Sequence, residues 1–279
     1  VGSTLNPPSF RSNQIQAVGD DIYISSDIDQ NTSYGLWKRN GYNWDKVGTF
    51  PTKFYWMGQY KNTLYLLNYS ELWKFENGTC TKVVDLPQTF NYTRMGAEYE
   101  GFLHFFCRNI VSGIYKDYHY KFDGTSLTLV EIMDNAAIYN CMHPFGVYQN
   151  KLCGIYVANP STATYISSLY SYDGTSWTTQ QIRESSNRNI SIVGFDKDTI
   201  YAIDSWYFPI LYKVNTETST FDNYIRMPFS ASFGAIIKNK DGINLIGMYK
   251  NQTSGTNLNY GNGIGCNHLI YKKVLCLED

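Results

Sequence analysis

The sequence predicts an all-β fold, a single six-bladed β-propeller with four antiparallel strands per blade. Three observations lead to this prediction. The 279 residues are rich in Tyr and Gly and lack the runs of Glu, Lys and Ala that favour helices. An aromatic pattern recurs six times along the chain, and a glycine pattern precedes it in most of the repeats.

The charge balance excludes several classes of partner. The chain carries 23 Lys and Arg against 24 Asp and Glu, a formal net charge of −1. A surface that binds nucleic acid or an anionic membrane needs a basic excess, which this composition lacks. The sequence contains no run of 18 apolar residues, so we predict no transmembrane helix.

The aromatic pattern places an aliphatic residue or His before an aromatic residue, usually followed by Lys and a turn residue. The six aromatic positions are Trp37, Trp73, Tyr120, Tyr170, Tyr212 and Tyr271. Dividing 279 residues by six repeats gives 46.5 residues per repeat. Four short strands in a repeat of this length are typical of propeller blades. Because these aromatics recur at one structural position, we expect them to pack between blades rather than to form a carbohydrate platform.

The glycine pattern predicts the innermost strand of each blade. An apolar residue and a glycine precede a polar turn and a β-rich run, and these glycines are Gly58, Gly96, Gly146, Gly194 and Gly234. Innermost strands crowd around the propeller axis, and a missing side chain lets two backbones approach closely.

The repeats define the predicted blade boundaries and the closure of the ring. We expect blades at 12–51, 52–88, 89–134, 135–183, 184–228 and 229–279, the last completed by 1–8. The last repeat ends soon after its third strand, and Ser3–Pro8 is similar to the ends of other repeats. We therefore expect the N-terminus to supply the outer strand of the last blade.

Three turn segments carry a resemblance to a known family. Phe122–Leu127, Tyr172–Trp177 and, more loosely, Asn40–Trp44 resemble the Tyr-Asp-x-x-Thr-x-x-Trp stretch of Kelch repeats, shortened by one residue. The Gly-Gly pair of Kelch repeats is absent from the sequence. The resemblance implies a galactose-oxidase-type propeller, and it implies fold more than function because propellers include both binding modules and enzymes.

Six cysteines and a first residue that is not Met favour secretion of a mature, disulfide-bonded protein. No C-x-x-C pair occurs, so we predict no zinc site. Six buried thiols are the alternative to three disulfides, for which the expected pairs are Cys80–Cys107, Cys141–Cys153 and Cys266–Cys276. Glycosylation sequons, about as many as chance gives, occur at Asn31, Asn68, Asn77, Asn91, Asn189 and Asn251.

Uneven loops on one face of the propeller are the predicted functional surface. Long connections between second and third strands are expected at 27–34, 108–117, 158–167 and 250–265. The candidate ligand-binding residues on this face are Trp56, Tyr92, Arg94, His143, Arg188, Trp206 and Tyr207. Three consecutive aromatics, Trp206–Phe208, favour a stacking surface for a sugar or an apolar partner, with packing over the blade edge as the alternative.

The sequence contains no recognisable catalytic constellation, cofactor motif or metal-ligand set. Asp173 and Gly174 form one copy of an Asp box, which is itself a structural turn, and a sialidase would need a cluster of three arginines. We predict a secreted, non-catalytic recognition propeller that binds a glycan or an extracellular protein. The alternatives are a structural subunit that binds protein partners and a glycan-processing hydrolase that uses Arg94, His143 and Arg188 at the channel mouth.

Overall fold

The computed structural model describes most of the chain in segments separated by short gaps. The described residues are 3–4, 11–28, 33–40, 43–50, 52–134, 141–161, 164–185, 190–196, 198–204, 210–218, 220–226, 232–239, 242–249 and 267–272. Within these segments, strands β1–β24 pair into six four-stranded antiparallel sheets. No helix long and apolar enough to cross a membrane occurs among the described residues.

In the first three sheets, four consecutive strands pair in chain order. We call these sheets blades one, two and three. Blade one contains β2 (Arg11–Val18), β3 (Asp21–Ile28), β4 (Ser33–Asn40) and β5 (Asn43–Phe50). Blade two contains β6 (Trp56–Tyr60), β7 (Thr63–Leu67), β8 (Glu71–Glu76) and β9 (Thr79–Asp85). Blade three contains β10 (Tyr92–Tyr99), β11 (Phe102–Val111), β12 (Ile114–Phe122) and β13 (Leu127–Asp134).

The next two sheets repeat this arrangement and are called blades four and five. Blade four contains β14 (Cys141–Tyr148), β15 (Lys151–Ser161), β16 (Thr164–Tyr172) and β17 (Trp177–Ser185). Blade five contains β18 (Ile190–Asp196), β19 (Thr199–Asp204), β20 (Ile210–Asn215) and β21 (Thr220–Arg226). The remaining sheet contains β22 (Ser232–Asn239), β23 (Gly242–Tyr249), β24 (Asn267–Lys272) and β1 (Ser3–Thr4).

The first strands of successive sheets contact one another, which places them innermost. β6 contacts β2 and β10, β14 contacts β10 and β18, and β22 contacts β18 and β2. The N-terminal β1 pairs with β24, with Ser3 opposite Ile270 and Thr4 opposite Leu269. The arrangement confirms the predicted all-β propeller class.

The repeated aromatic residues lie on third strands, and most of the described ones pack between sheets. Tyr120 is buried in the core shared by blades two and three. Trp73, Tyr170 and Tyr212 are half-buried against the cores between other neighbouring blades. Full burial of one such large apolar side chain contributes about 1.5–3 kcal/mol, so these cores hold adjacent blades together.

A β-bulge accompanies the aromatic residue in several blades. The register between third and fourth strands shifts at Trp37, Trp73 and Tyr120, leaving one extra residue in the fourth strand. In blades one and two this extra residue is a valine, Val47 or Val83, that packs against the adjacent core. The repeat therefore specifies a bend in the outer strand as well as an aromatic anchor.

The innermost strands β14 and β18 approach each other closely at Gly146. A Cβ atom placed on Gly146 would lie 2.6 Å from the Cβ of Phe195 on the next innermost strand, β18. Side chains cannot approach this closely, which confirms for Gly146 that the glycine permits blade contact. Gly96 has a different neighbour, because its Cβ would meet the His104 carbonyl oxygen of its own blade at 2.6 Å.

Two of the predicted disulfides are wrong. Cys80, Cys107 and Cys153 are free thiols in the structure. Cys153 lies opposite Gly146 in the sheet whereas Cys141 lies opposite Tyr156, so these two cysteines occupy different rungs of the β14–β15 ladder. Burial raises the pKa of the Cys80 thiol to about 12 and that of Cys107 well above its usual value.

The third predicted pair, Cys266–Cys276, lies outside the described residues, as do the sequons at Asn31, Asn189 and Asn251. Free thiols at Cys80, Cys107 and Cys153 remove these cysteines from the argument for an oxidising compartment. Secretion therefore stays a prediction.

We expect Gly146→Ala to lower the free energy of unfolding by about 1–3 kcal/mol, because the new methyl group overlaps Phe195 and β14 must move. Urea denaturation measures the loss. Gly48→Ala is the control, since its new methyl group meets the edge of the Phe75 ring at 3.2 Å and that ring can shift. Equal losses for the two variants would contradict the close approach of β14 and β18.

Candidate functional site

In the part of the chain whose exposure is described, the exposed large apolar side chains lie in one blade. Among the residues whose exposure the structure describes, the large hydrophobic side chains that are 41–52% exposed are Tyr92, Ile110, Val111, Ile114, Tyr115, Leu129 and Ile132. All seven belong to blade three. Single exposed apolar residues are ordinary on a protein surface, but a cluster of them marks an interaction site.

Four of these residues form the tip of the β11–β12 hairpin, which we call the blade-three hairpin (Ile110–Tyr115). Val111 pairs directly with Ile114 across the tip. Ser112 and Gly113 connect the strands with φ of 52° and 78°, as in the tight type I′ turn that suits a two-residue hairpin. The apolar side chains therefore lie at the tip of a tight two-residue hairpin.

The hairpin is long compared with that of blade two. β11 has 10 residues and β15 of blade four has 11, whereas β7 of blade two has 5. At about 3.3 Å per residue, the longer strands extend one side of the propeller well past blade two. The segments 108–117 and 158–167, predicted as long loops, are thus mostly continuous strands, and this part of the sequence interpretation is wrong.

A buried ion pair supports the base of the hairpin. Arg108 Nε donates to Asp117 Oδ1 at 2.6 Å and Arg108 Nη2 donates to Asp117 Oδ2 at 3.1 Å. The two residues are 4% and 1% exposed and lie directly opposite each other in the ladder. The guanidinium also lies 4.9 Å from the centre of the Tyr115 ring, which links the ion pair to the tip.

The segment before β10 holds the other side of the hairpin base. Asn91 N donates to the Arg108 carbonyl and to Asn109 Oδ1, both at 3.0 Å. Ile110 N donates to Asn91 Oδ1 at 3.2 Å. Asn109 Nδ2 lies 3.4 Å from the Thr89 carbonyl oxygen. These contacts fix the base of the hairpin to the segment before β10.

Aromatic rings and cations line the same end of blades two and three. The Arg94 guanidinium lies 5.9 Å from the Trp56 ring centre. Lys53 Nζ lies 5.6 Å from the Tyr55 ring, which stacks on Tyr69 at 4.1 Å. Each cation–π contact of this kind contributes about 0.5–1 kcal/mol at an exposed site, so the aromatic surface is partly covered by its own neighbours.

The structure brings together part of the predicted ligand-binding set. Trp56 and Arg94 are in contact, and Tyr92 is exposed opposite Arg108 at the start of β10. His143 lies on β14, and its side chain is outside the description, as are Arg188, Trp206 and Tyr207. The role of these four residues in ligand binding stays a prediction.

Sequence reasoning missed the four hairpin residues. The signal was a Ser-Gly pair flanked by apolar residues, the pattern of a two-residue hairpin. The exposure of these apolar residues could not be predicted, because buried hairpins also have apolar residues on both sides of a turn.

The Asp-containing turns are structural, as the sequence indicates. Asp173 Oδ1 accepts hydrogen bonds from the Thr175 hydroxyl and from the backbone N–H groups of Thr175 and Ser176. These bonds lower the pKa of the Asp173 carboxyl to about 2. Asp123 makes the same two backbone contacts in blade three. These turns close hairpins at the end of the blades opposite the blade-three hairpin.

One sequon is also structural. Asn68 is 5% exposed, and its Oδ1 accepts hydrogen bonds from Ser70 N at 2.9 Å and Glu71 N at 2.7 Å. Its Nδ2 donates to Glu71 Oε2 at 3.1 Å, so the whole amide is engaged in the blade-two turn, and glycosylation of Asn68 stays a prediction. Asn77 and Asn91 are exposed, and their glycosylation stays a prediction.

No group of three or more His, Cys, Asp or Glu that could hold a metal occurs among the described residues. Two open recesses of about 350 and 320 Å³ lie at the end opposite the hairpin, one beside Glu98 and Glu100 and the other beside Asp198 and Glu217. Neither is lined by a predicted ligand-binding residue.

A scan against protein-family models and a search of curated proteins found no match to this chain. Solved structures are similar in fold. The RRP9 WD40 repeats match with a TM-score of 0.59 and 8% identity, covering 96% of each chain. U3-55K matches with a TM-score of 0.57 and 9% identity, covering 96% of this chain and 98% of that one.

The β-propeller domain of the Trilobed protease from Pyrococcus furiosus, which has an open velcro topology, matches with a TM-score of 0.53. It is 8% identical over 87% of this chain and 80% of that chain. At these identities the likeness shows the β-propeller fold alone. The resemblance to Kelch repeats stays a prediction.

We expect Asp117→Asn to lower the free energy of unfolding by about 3–5 kcal/mol, because it leaves the Arg108 charge buried without its counter-ion. The matched variant Arg108→Met/Asp117→Leu removes both charges and should lose much less. Urea denaturation of the three proteins compares them. If the double variant is as unstable as Asp117→Asn, the pair stabilises the fold by more than the neutralisation of each buried charge by the other.

Proposed function

We propose that this protein is a non-catalytic recognition propeller that binds a protein partner through blade three. One observation carries the proposal: the exposed large apolar side chains of the described residues all lie in that blade, four of them at the blade-three hairpin. The partner offers an apolar groove that receives the side chains of Val111, Ile114 and Tyr115. Burial of these side chains would supply the main binding free energy.

The character of the surface favours a protein over a glycan. Glycan binding uses a Trp or Tyr ring beside polar groups in a pocket, whereas the blade-three hairpin is convex and mostly aliphatic. Trp56 and Tyr55, the aromatic rings nearby, already contact Arg94 and Tyr69. A hairpin held by the Arg108–Asp117 pair also loses little conformational entropy when it binds.

We also propose that the six sheets form the blades of one closed ring. The contact of β22 with β2 and the pairing of β1 with β24 support this closure. We also retain two predictions from the sequence, an extracellular location and a second, lectin-like site around Trp206 and Tyr207.

We expect a photoreactive amino acid at Ser112, in the turn of the blade-three hairpin, to cross-link the partner in cells that produce the protein. The control position is Thr81, which is exposed on the outer strand of blade two. The cross-linked protein is then identified and purified. Its dissociation constant should rise at least about 30-fold with Ile114→Asp, the effect of losing a binding hot spot.

A glycan array run with the same variants separates the alternatives. Glycan binding that Ile114→Asp leaves intact, together with equal cross-linking from Ser112 and Thr81, would overturn the protein-binding proposal. An unchanged dissociation constant for the purified partner would also overturn it.

A further inference from the structure

Two buried histidines form a pair inside blade three. His104 Nδ1 and His119 Nε2 are 2.8 Å apart, and the residues are 2% and 0% exposed. One ring must donate its N–H and the other must accept with a lone pair, so the bond is made when both imidazoles are neutral and is lost when both are protonated. The outer nitrogens, His104 Nε2 and His119 Nδ1, are buried without a well-aligned hydrogen-bond partner.

The pair lies in the contact between blades three and four. The His119 ring centre is 5.0 Å from that of Tyr172 and 5.5 Å from that of Trp177, both in blade four. Phe106 stacks on His119 at 4.8 Å and also on Phe145 of blade four at 4.6 Å. Aromatic packing from two blades therefore encloses the imidazoles and excludes water.

The charged and titratable groups around the pair do not stabilise imidazolium. Lys121 on β12 is a like charge for both rings. Tyr99 on β10 and Tyr172 on β16 have pKa values raised by burial and stay neutral. Glu131 on β13 lies opposite His119, and burial raises the pKa of its carboxyl, which disfavours the charged form of this carboxylate.

Burial lowers the pKa of His104 to about 4, against the opposing effect of a backbone hydrogen bond to Tyr99, and the charge of Lys121 is a smaller further cause of the lowering. Burial and then the charge of His104 lower the pKa of His119 to about 2. A hydrated histidine takes up its proton near pH 6.5. The closed contact therefore takes up protons only at a much lower pH than a contact that has opened to water.

We propose that the His104–His119 pair is an acid-sensitive joint, which holds blades three and four together while both imidazoles are neutral and opens when they take up protons. Because the pKa values are depressed in the closed state, its stability is complete above about pH 6.5. It is lost progressively as the pH falls from there, toward 4 for His104 and toward 2 for His119, by up to about tenfold per pH unit for each histidine.

Strands β11 and β12 carry both this joint and the blade-three hairpin. Opening the joint would loosen the support of the hairpin and weaken partner binding in acid. This consequence rests on the proposed function, whereas the joint itself does not.

Hydrogen exchange measured by mass spectrometry tests the joint directly, with exchange times scaled for the intrinsic rates at pH 7.5 and 5.0. Peptides covering 99–106, 116–122 and 168–177 should lose protection by at least about 30-fold at pH 5.0, the effect of one hydrated histidine. The blade-two peptide 56–76 is the internal control. In the variant His104→Leu/His119→Phe, the blade-three and blade-four peptides should lose no more protection between pH 7.5 and 5.0 than the blade-two peptide does.

Equal loss of protection across blades two, three and four in the wild type would overturn the proposal, as would an acid response that survives in the double variant. If that variant does not fold, deuteration at the imidazole C2 position in the wild type replaces it. The titration midpoints of His104 and His119 should lie below pH 5. Midpoints at pH 6 or above for both histidines would contradict the proposal that the joint is closed while both imidazoles are neutral.

Discussion

Crowding of the innermost strands is the constraint on which the rest of the structure depends. β14 and β18 approach so closely that Gly146 has no space for a methyl group beside Phe195. Sheets that meet at the axis must diverge toward the outside, and larger side chains fill the widening gaps. Tyr120 and Phe122 between blades two and three, and Phe106 and Tyr172 between blades three and four, occupy these gaps.

Blade three departs from the repeat in the places where function is proposed. It contains a buried ion pair at Arg108 and Asp117 and a buried histidine pair, and it carries the exposed apolar tip. Buried ionisable groups destabilise a fold unless they are paired, and each of these has its partner on the facing strand of the same hairpin. These specialised features lie along β11 and β12, and the histidine pair also takes part in the contact with blade four.

Periodicity made the propeller class predictable, because every repeat needs an aromatic anchor on its third strand and little bulk near the axis. Pairing of Ser3 and Thr4 with β24 was foreseeable from the missing last strand. The pairing of cysteines could not be predicted, because spacing along the chain does not show which residues lie opposite Cys141 and Cys153 in the sheet. His104 and His119 are 15 residues apart, and only the strand register brings their rings together.

The proposed ring closes through the pairing of β1 with β24. The most direct test is the double variant Thr4→Cys/Leu269→Cys, which places a cysteine on each side of that pairing. We expect this disulfide to form under oxidation, to be found by peptide mapping and to stabilise the protein by up to about 4–5 kcal/mol, as expected for a very long loop. No cross-link between these positions, with the single variants still folded, would contradict closure.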